Sequence, residues 1–275
     1  MPQPYKLIAV DMDGTLLQSD KTIHHDSITD IQTAVEKGIQ IVYCTGRALP
    51  ELQSYVEILP MVRYAVCYSG AIVYDYKADK CICRTEIEQG YIERIIETAE
   101  KYKAMVHFLT EKESIVASAD VTHMKDFHMG VYQTMFMEVT RPVEDMREEG
   151  KLHNSLAKIN IYFRSAEDRS KGYEDLRRLP LTFAFAEETS LEMTAQYVTK
   201  ATGLQHLAEY LNMPISQVAG IGDADNDRDM LSKVGFSVAM GNASDDMKSH
   251  CDFITKDNDH NGVGEAIQYI MSNQL

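Results

Sequence analysis

"LIAVDMDGTLL", residues 7–17, decides how the rest of the chain is read. Leu7 to Val10 form an apolar run of strand type, and the run ends directly on Asp11 and Asp13, followed by Gly14 and Thr15. A carboxylate at the end of an apolar strand is costly unless a cation or a hydrogen-bond network receives it. The pair therefore either caps an ordinary turn through an aspartate side chain or belongs to a site that holds a metal.

Two further apolar runs are of the same kind, "IQIVYC" at 39–44 and "YAVCYS" at 64–69. The first two are joined by "SITDIQTAVEKG", with Ile28, Ile31 and Val35 at helical spacing and Gly38 as the stop. "LPELQSYVEIL" supplies a second helix after Gly46-Arg47. This β-α-β-α-β order predicts a doubly wound, Rossmann-like α/β parallel sheet, in which ligands sit outside the carboxyl ends of the strands. Asp11, Asp13 and Thr45 all fall at such ends.

"AIVYDYKADKCICR" reads as a hairpin, and beyond it the texture changes. "QGYIERIIETAEKY" is helical, "AMVHFL", "SIVASA" and "AKINIYF" are strand-like, "AEDRSKGYEDLRRL" is helical, and "LTFAFAEETSLEMT" is a strand pair. Strands on short loops with a few helices predict an α+β domain with an antiparallel sheet. The α/β pattern then returns in "TGLQHLAEYL", "VAGIGD", "NDRDMLSKVG", "FSVAM" and "GVGEAIQYIM". The expected organisation is a discontinuous catalytic core of residues 1–85 and 195–275, interrupted by an inserted domain of residues 86–194.

With 275 residues, 44% of them hydrophobic, the chain can build such a core. Its 27 basic and 42 acidic residues give a formal net charge of −15, which opposes nucleic acid and anionic membrane as partners. An anionic substrate would need locally built positive charge. There is no apolar run of membrane-spanning length and no signal-type N-terminus. Five irregularly spaced cysteines, Cys44, Cys67, Cys81, Cys83 and Cys251, fit reduced thiols in a cytoplasmic protein, which is the expected location.

Four motifs stand in series: Asp11-Met-Asp13-Gly-Thr15, Thr45-Gly46-Arg47, Lys200 in "YVTKATGL", and Gly222-Asp223-Ala-Asp225-Asn226-Asp227 followed by "VAMGNA". Folded together they would place several carboxylates in one pocket, which requires a cation. Hard oxygen ligands with open positions suit Mg²⁺, which keeps waters and binds substrate phosphate.

In this order the motifs resemble those of the haloacid dehalogenase superfamily of phosphatases, Cof-type branch, whose large cap interrupts the core. The resemblance runs the length of the chain. It implies a phosphatase acting on a small phosphorylated metabolite, with Asp11 as the nucleophile that becomes an aspartyl-phosphate and Asp13 as general acid and then base. It further implies that Thr45 and the backbone at Gly46 hold phosphate oxygens, and that Lys200 pairs with both nucleophile and phosphate. Asp11, Asp223, Asp227 and the main-chain carbonyl of Asp13 would hold Mg²⁺, and Asn226 would complete the shell. Arg47 could bind substrate or tie core to insert, and Asp225 reads as a spacer. Ala201 and Ser69 stand where such proteins often carry glycine and asparagine, which bears on substrate choice rather than on chemistry.

The insert would then be a cap that sets specificity. Its "THMKDFHMGVYQTMFME" stretch, 122–138, reads mainly as core methionines on an irregular element, with soft-metal binding as the sharper alternative and a lining of the substrate pocket as the intermediate one. A phosphomutase and a non-catalytic regulatory protein are competing functions; the second is opposed by the presence of Asp11, Asp13 and Lys200. A monomer or a homodimer is expected.

Overall fold

A computed structural model describes residues 5–185 and 187–273. Contacts divide the chain into two compact units. The core unit takes in the chain through Gly46, then Ser54–Cys83, and everything from Thr199 onward. The second unit comprises Arg47–Gln53 and Arg84–Val198.

The core is an eight-stranded sheet. Its strands are β1 (Leu7–Val10), β2 (Gln40–Cys44), β3 (Tyr64–Cys67), β4 (Ile72–Asp75), β5 (Lys80–Arg84), β6 (Val218–Gly222), β7 (Phe236–Ala239) and β8 (Phe253–Ile254). They lie in the order β8-β7-β6-β1-β2-β3-β4-β5. All pairings from β8 to β3 are parallel, and β4 returns antiparallel to β3. This is the doubly wound α/β core that the apolar runs predict.

The order reverses at β1: β2 and β3 continue to one side, β6 and β7 to the other. In doubly wound sheets ligands bind at such a point, outside the carboxyl ends of the strands. Helices α1 (His25–Glu36), α2 (Gln53–Ile58), α3 (Lys200–Tyr210), α4 (Arg228–Lys233), α5 (Asp245–Lys248) and α6 (Gly262–Ser272) flank the sheet. α1 packs on α6. Leu204 and Leu207 of α3, with Met230 and Leu231 of α4, close the opposite face over Leu7, Ala9, Val42, Val66 and Val218.

β3 is shorter than the apolar run "YAVCYS" because Tyr68, Ser69 and Gly70 all adopt positive φ (53°, 56° and 104°), which no strand accommodates. A Cβ at Gly70 would lie 1.9 Å from the Thr199 carbonyl oxygen, so glycine is what lets the start of α3 approach β3. Thr199 caps α3 by accepting from the Thr202 amide.

The second unit has its own sheet, ordered 181–184, 190–195, 158–162, 105–109, 114–117 and 140–143. All its pairings are antiparallel except the last, 114–117 with 140–143, so it is the α+β insert. Ile95, Ile96, Phe108, Ile159, Ile161 and Leu191 are among the side chains that form its main core. The run "SIVASA" leaves the sheet at Ala117 and turns into a short helix, Ser118–Val121. Met124 and Met129 of the methionine-rich stretch are buried with Phe127 and Phe136, while Met137 is exposed, so the stretch is chiefly packing.

Arg47–Gln53 groups with this unit although it directly follows Thr45-Gly46 of the core. Arg47 Nη1 donates to Met135 Sδ at 3.2 Å, and Glu51 accepts from the Ala48 amide at 2.9 Å. His107 is wholly buried, with Nε2 2.5 Å from Ser114 Oγ and 4.0 Å from Glu51 Oε1. Burial holds its imidazole down at about 3, so it is neutral in the folded protein.

Candidate active site

Asp11 follows β1, whose amide ladder to β6 continues one step further as Asp11 N–H donates to the Ile221 carbonyl at 3.0 Å. Its side chain thus stands at the switch point. Register places Val10 opposite Tyr43, so Thr45 lies one residue beyond the level of Asp11 on the neighbouring strand. From the other side β6 ends at Gly222 and delivers Asp223, and the turn Asp225–Asp227 brings Asp227 back.

Lys200, the first residue of α3, joins these elements. Its ammonium donates to Asp11 Oδ1 at 2.5 Å and to Asp227 Oδ1 at 2.7 Å. Asp11, Lys200 and Asp227 are 4%, 2% and 0% exposed. The other oxygen of Asp227 accepts from the Asp223 and Ala224 amides at 3.1 and 3.2 Å. Asp223 Oδ1 accepts from Thr15 Oγ1 at 2.7 Å, and its Oδ2 from Asn242 Nδ2 at 3.3 Å. Asn242 also donates to the Gly14 carbonyl at 2.8 Å, tying the loop after β1 to the loop after β7. Gly14 has φ +80°, and a Cβ there would meet Asp223 Oδ2 at 2.4 Å, so the loop after β1 closes on Asp223 only as glycine.

The electrostatics are those of an under-neutralised cluster. One carboxylate oxygen from each of Asp11, Asp223 and Asp227 lies within 4.8 Å of the others, against one ammonium. Burial first, and then Asp227, push the Asp11 carboxyl well above its ordinary range despite the pull of Lys200. Burial also pushes Asp223 up to about 6, against the hydrogen bond from Thr15. Burial pulls Lys200 down, but Asp11 and Asp227 outweigh it and hold the ammonium charged. The donor set is all oxygen, carboxylate-rich and short of positive charge, which fits a hard divalent cation. Asn226 Oδ1 is buried without a hydrogen-bond partner, a free acceptor beside the cluster.

The structure therefore brings Asp11, Lys200, Asp223, Asn226 and Asp227 to one place, with Thr45 and Gly46 at the adjoining strand end. Asp13 stands in the loop after Asp11, partly exposed, with its Oδ1 2.9 Å from Lys21 Nζ. Arg47 belongs by its contacts to the other unit. Asp225 points to solvent and pairs with Arg228 at 3.0 Å, as a spacer would. Thr15, Asn242 and Lys21 are contributors that the motif reading did not single out. The signal for Asn242 was its place just past a strand end in "VAMGNA", and for Thr15 its place in the first motif.

The fold and site define a class: a doubly wound α/β protein with a carboxylate cluster and a buried lysine at its switch point, an arrangement suited to holding a divalent cation. The model of the haloacid dehalogenase-like hydrolases matches residues 8–267, and the chain belongs to that family, in its Cof-type branch. Phosphatase YwpJ of Bacillus subtilis is 27% identical over 97% of this chain and 100% of its own length. The B. subtilis 5-amino-6-(5-phospho-D-ribitylamino)uracil phosphatase YcsE is 25% identical, over 96% of this chain and 95% of its own. A crystal structure of a haloacid dehalogenase-like hydrolase from Bacteroides thetaiotaomicron superposes with a TM-score of 0.84 at 26% identity, covering 97% of this chain and 99% of that one. Among the described residues, no helix is long and apolar enough to cross a membrane.

Proposed function

We propose that this enzyme is a Mg²⁺-dependent phosphatase that hydrolyses a small phosphorylated metabolite, a sugar phosphate or similar phosphomonoester, through an aspartyl-phosphate. The observation that carries the reading is the buried Lys200 clamped between Asp11 and Asp227 at the switch point. The relatives support the class of reaction, and YcsE, named for a ribityl phosphate, supports the class of substrate.

Asp11 attacks the phosphorus in line. A bond forms between its carboxylate oxygen and phosphorus as the bond to the leaving alkoxide breaks, splitting one hard displacement into two easier ones. Asp13 gives its proton to the alkoxide. In the second half, water attacks the aspartyl-phosphate, Asp13 takes a proton from that water, and Asp11 is released as carboxylate. Lys200 spreads its charge over the nucleophile and the transferred oxygens, and the donors at Thr45 and Gly46 hold phosphate oxygens.

Asp11, Asp223 and Asp227, with the Asp13 main-chain carbonyl, would hold the metal, while Asp227 also fixes Lys200 and the Asp223 loop. When bound there, Mg²⁺ supplies positive charge that screens the phosphate from Asp11 and stabilises the transition state.

Phosphate release measured over a panel of phosphorylated metabolites with Mg²⁺ should rank one group of esters by kcat/KM. Asp11→Asn should reduce turnover to background for all of them. A variant retaining more than about a tenth of the rate would end the assignment, because loss of a nucleophile costs orders of magnitude.

A further inference from the structure

Lys21 lies outside the four motifs, yet its side chain reaches the residue read above as acid and base. Its Nζ is 2.9 Å from Asp13 Oδ1, with the two side chains 28% and 34% exposed. For stability alone such a half-exposed pair contributes little. The backbone beneath it is unusual. Lys21 ends a tight hairpin in which its amide donates to the Gln18 carbonyl and the Gln18 amide to the Thr22 carbonyl, both at 2.9 Å. Leu17 and Ile23 form the bridge that closes it. Lys21 has φ +68°. That left-handed position, a turn followed by a bulge residue, is where glycine or asparagine normally stands, because other side chains are strained there. Strain of this kind persists where the surrounding structure over-determines it, and it concentrates at functional sites.

The surroundings do over-determine it. Ser19 is pinned to Asp259 by its amide at 2.8 Å and its hydroxyl at 2.7 Å. Asn258 donates to the Leu17 carbonyl at 2.9 Å. The buried Tyr55 donates its hydroxyl to the Lys21 carbonyl at 3.2 Å, and Tyr55 is itself held through its own carbonyl by the Tyr43 hydroxyl of β2 at 3.2 Å. The hairpin is thus fastened to the core on both sides, and the lysine it presents meets Asp13.

We infer that Lys21 is a positioning residue for Asp13: the strained hairpin holds an ammonium that fixes the Asp13 carboxyl where it exchanges protons with the leaving alkoxide and the attacking water. This rests on the reading of Asp13 as acid and base. Asp13 performs the transfers; Lys21 contacts the Asp13 carboxyl rather than the substrate and acts by restricting that group to the useful orientation.

The test compares wild type, Lys21→Asn, Lys21→Arg and Asp13→Ala on p-nitrophenyl phosphate, whose phenolate departs with little help, and on the alkyl phosphate turned over fastest in the metabolite panel. Asparagine tolerates the left-handed backbone, so Lys21→Asn should keep or raise the thermal midpoint. It should nonetheless lower kcat on the alkyl ester about tenfold, a fraction of the full range of acid-base catalysis, with KM within about twofold and p-nitrophenyl phosphate turnover within about twofold. Lys21→Arg should restore at least half of the alkyl rate. Equal losses on both esters, no loss on the alkyl ester, or a loss that tracks a fall in thermal midpoint would each overturn the inference. If Asp13→Ala is selective for the alkyl ester and Lys21→Asn is not, the inference alone fails. If Asp13→Ala costs both esters equally, the reading of Asp13 itself fails.

Discussion

Replacing Lys200 by methionine tests whether the lysine is what lets two carboxylates share a buried site. Methionine keeps much of the aliphatic volume of the 2%-exposed side chain and deletes its charge. Asp11 and Asp227, which accept from Lys200 at 2.5 and 2.7 Å, are then left facing each other without it. Removing one partner of a buried ion pair costs about 3–5 kcal/mol. The cost of protonating Asp11 sets a ceiling on the loss, part of which the wild type already carries because its Asp11 carboxyl is itself raised. Asp11 can escape the repulsion by taking a proton, and at pH 7.5 this costs about 1.36 × (7.5 − 3.9), or about 5 kcal/mol, relative to the ionised unfolded chain.

By the buried-pair figure the expected loss for metal-free protein at pH 7.5 is about 3–5 kcal/mol, a fall of about 6–20 °C in thermal midpoint for a domain of this size. The bound also fixes the pH dependence. A carboxyl whose folded pKa is raised is most stabilising when protonated, so its penalty grows as pH rises from the unfolded value towards the folded one. At pH 5 the bound is only about 1.5 kcal/mol. The assay is thermal unfolding of wild type and Lys200→Met in EDTA at both pH values. A gap below about 1 kcal/mol at pH 7.5, or one that does not narrow at pH 5, would refute this account of the cluster.

Three further outcomes are expected. His107, held down at about 3, should make the protein less stable in acid: below about pH 6.5 the unfolded chain binds a proton that the folded chain refuses, a loss of about 2 kcal/mol by pH 5. Plotting the thermal midpoint of His107→Gln against pH should show a shallower acid decline, and an unchanged slope would exclude His107 as its source. Mg²⁺ should raise the thermal midpoint of the wild type, by about 2.7 kcal/mol of stability at a hundred times its dissociation constant, and EDTA should abolish turnover. Asp223→Asn should lose most of the thermal shift, and Ca²⁺ should bind yet inhibit, because its looser shell spoils in-line geometry; a full Mg²⁺ shift in that variant would remove Asp223 from the metal set. Exchanging residues 86–194 for the insert of a related phosphatase should carry the substrate ranking with the insert, and a ranking that stays with the core would show that the insert does not set specificity.

The core was readable because its signals are local. Buried parallel strands are apolar along their whole length, so β1, β2, β3, β6 and β7 appear as short runs, and each acid at the end of a run marks the crevice side of the sheet. Gly38, placed just past the helical spacing of α1, was readable as its stop, and the structure gives it φ +85°. The methionine-rich part of the insert was legible only as irregular, since pieces such as Ser118–Val121 and Met124–Phe127 are too short to show a period.

What the linear order could not decide is which charges meet. Lys200 lies 189 residues from Asp11 and 27 from Asp227, and nothing local to any of the three says that the ammonium bridges both. Thr15 meets Asp223 across 208 residues, and Asn242 meets the Gly14 carbonyl across 228. Arg47–Gln53 follows the second motif without a break yet belongs to the other compact unit. Strand, helix and turn follow from the chemistry of neighbouring residues. Burial of a charge and the choice of its partner depend on side chains brought together by the sheet, and so arise only once the chain has folded.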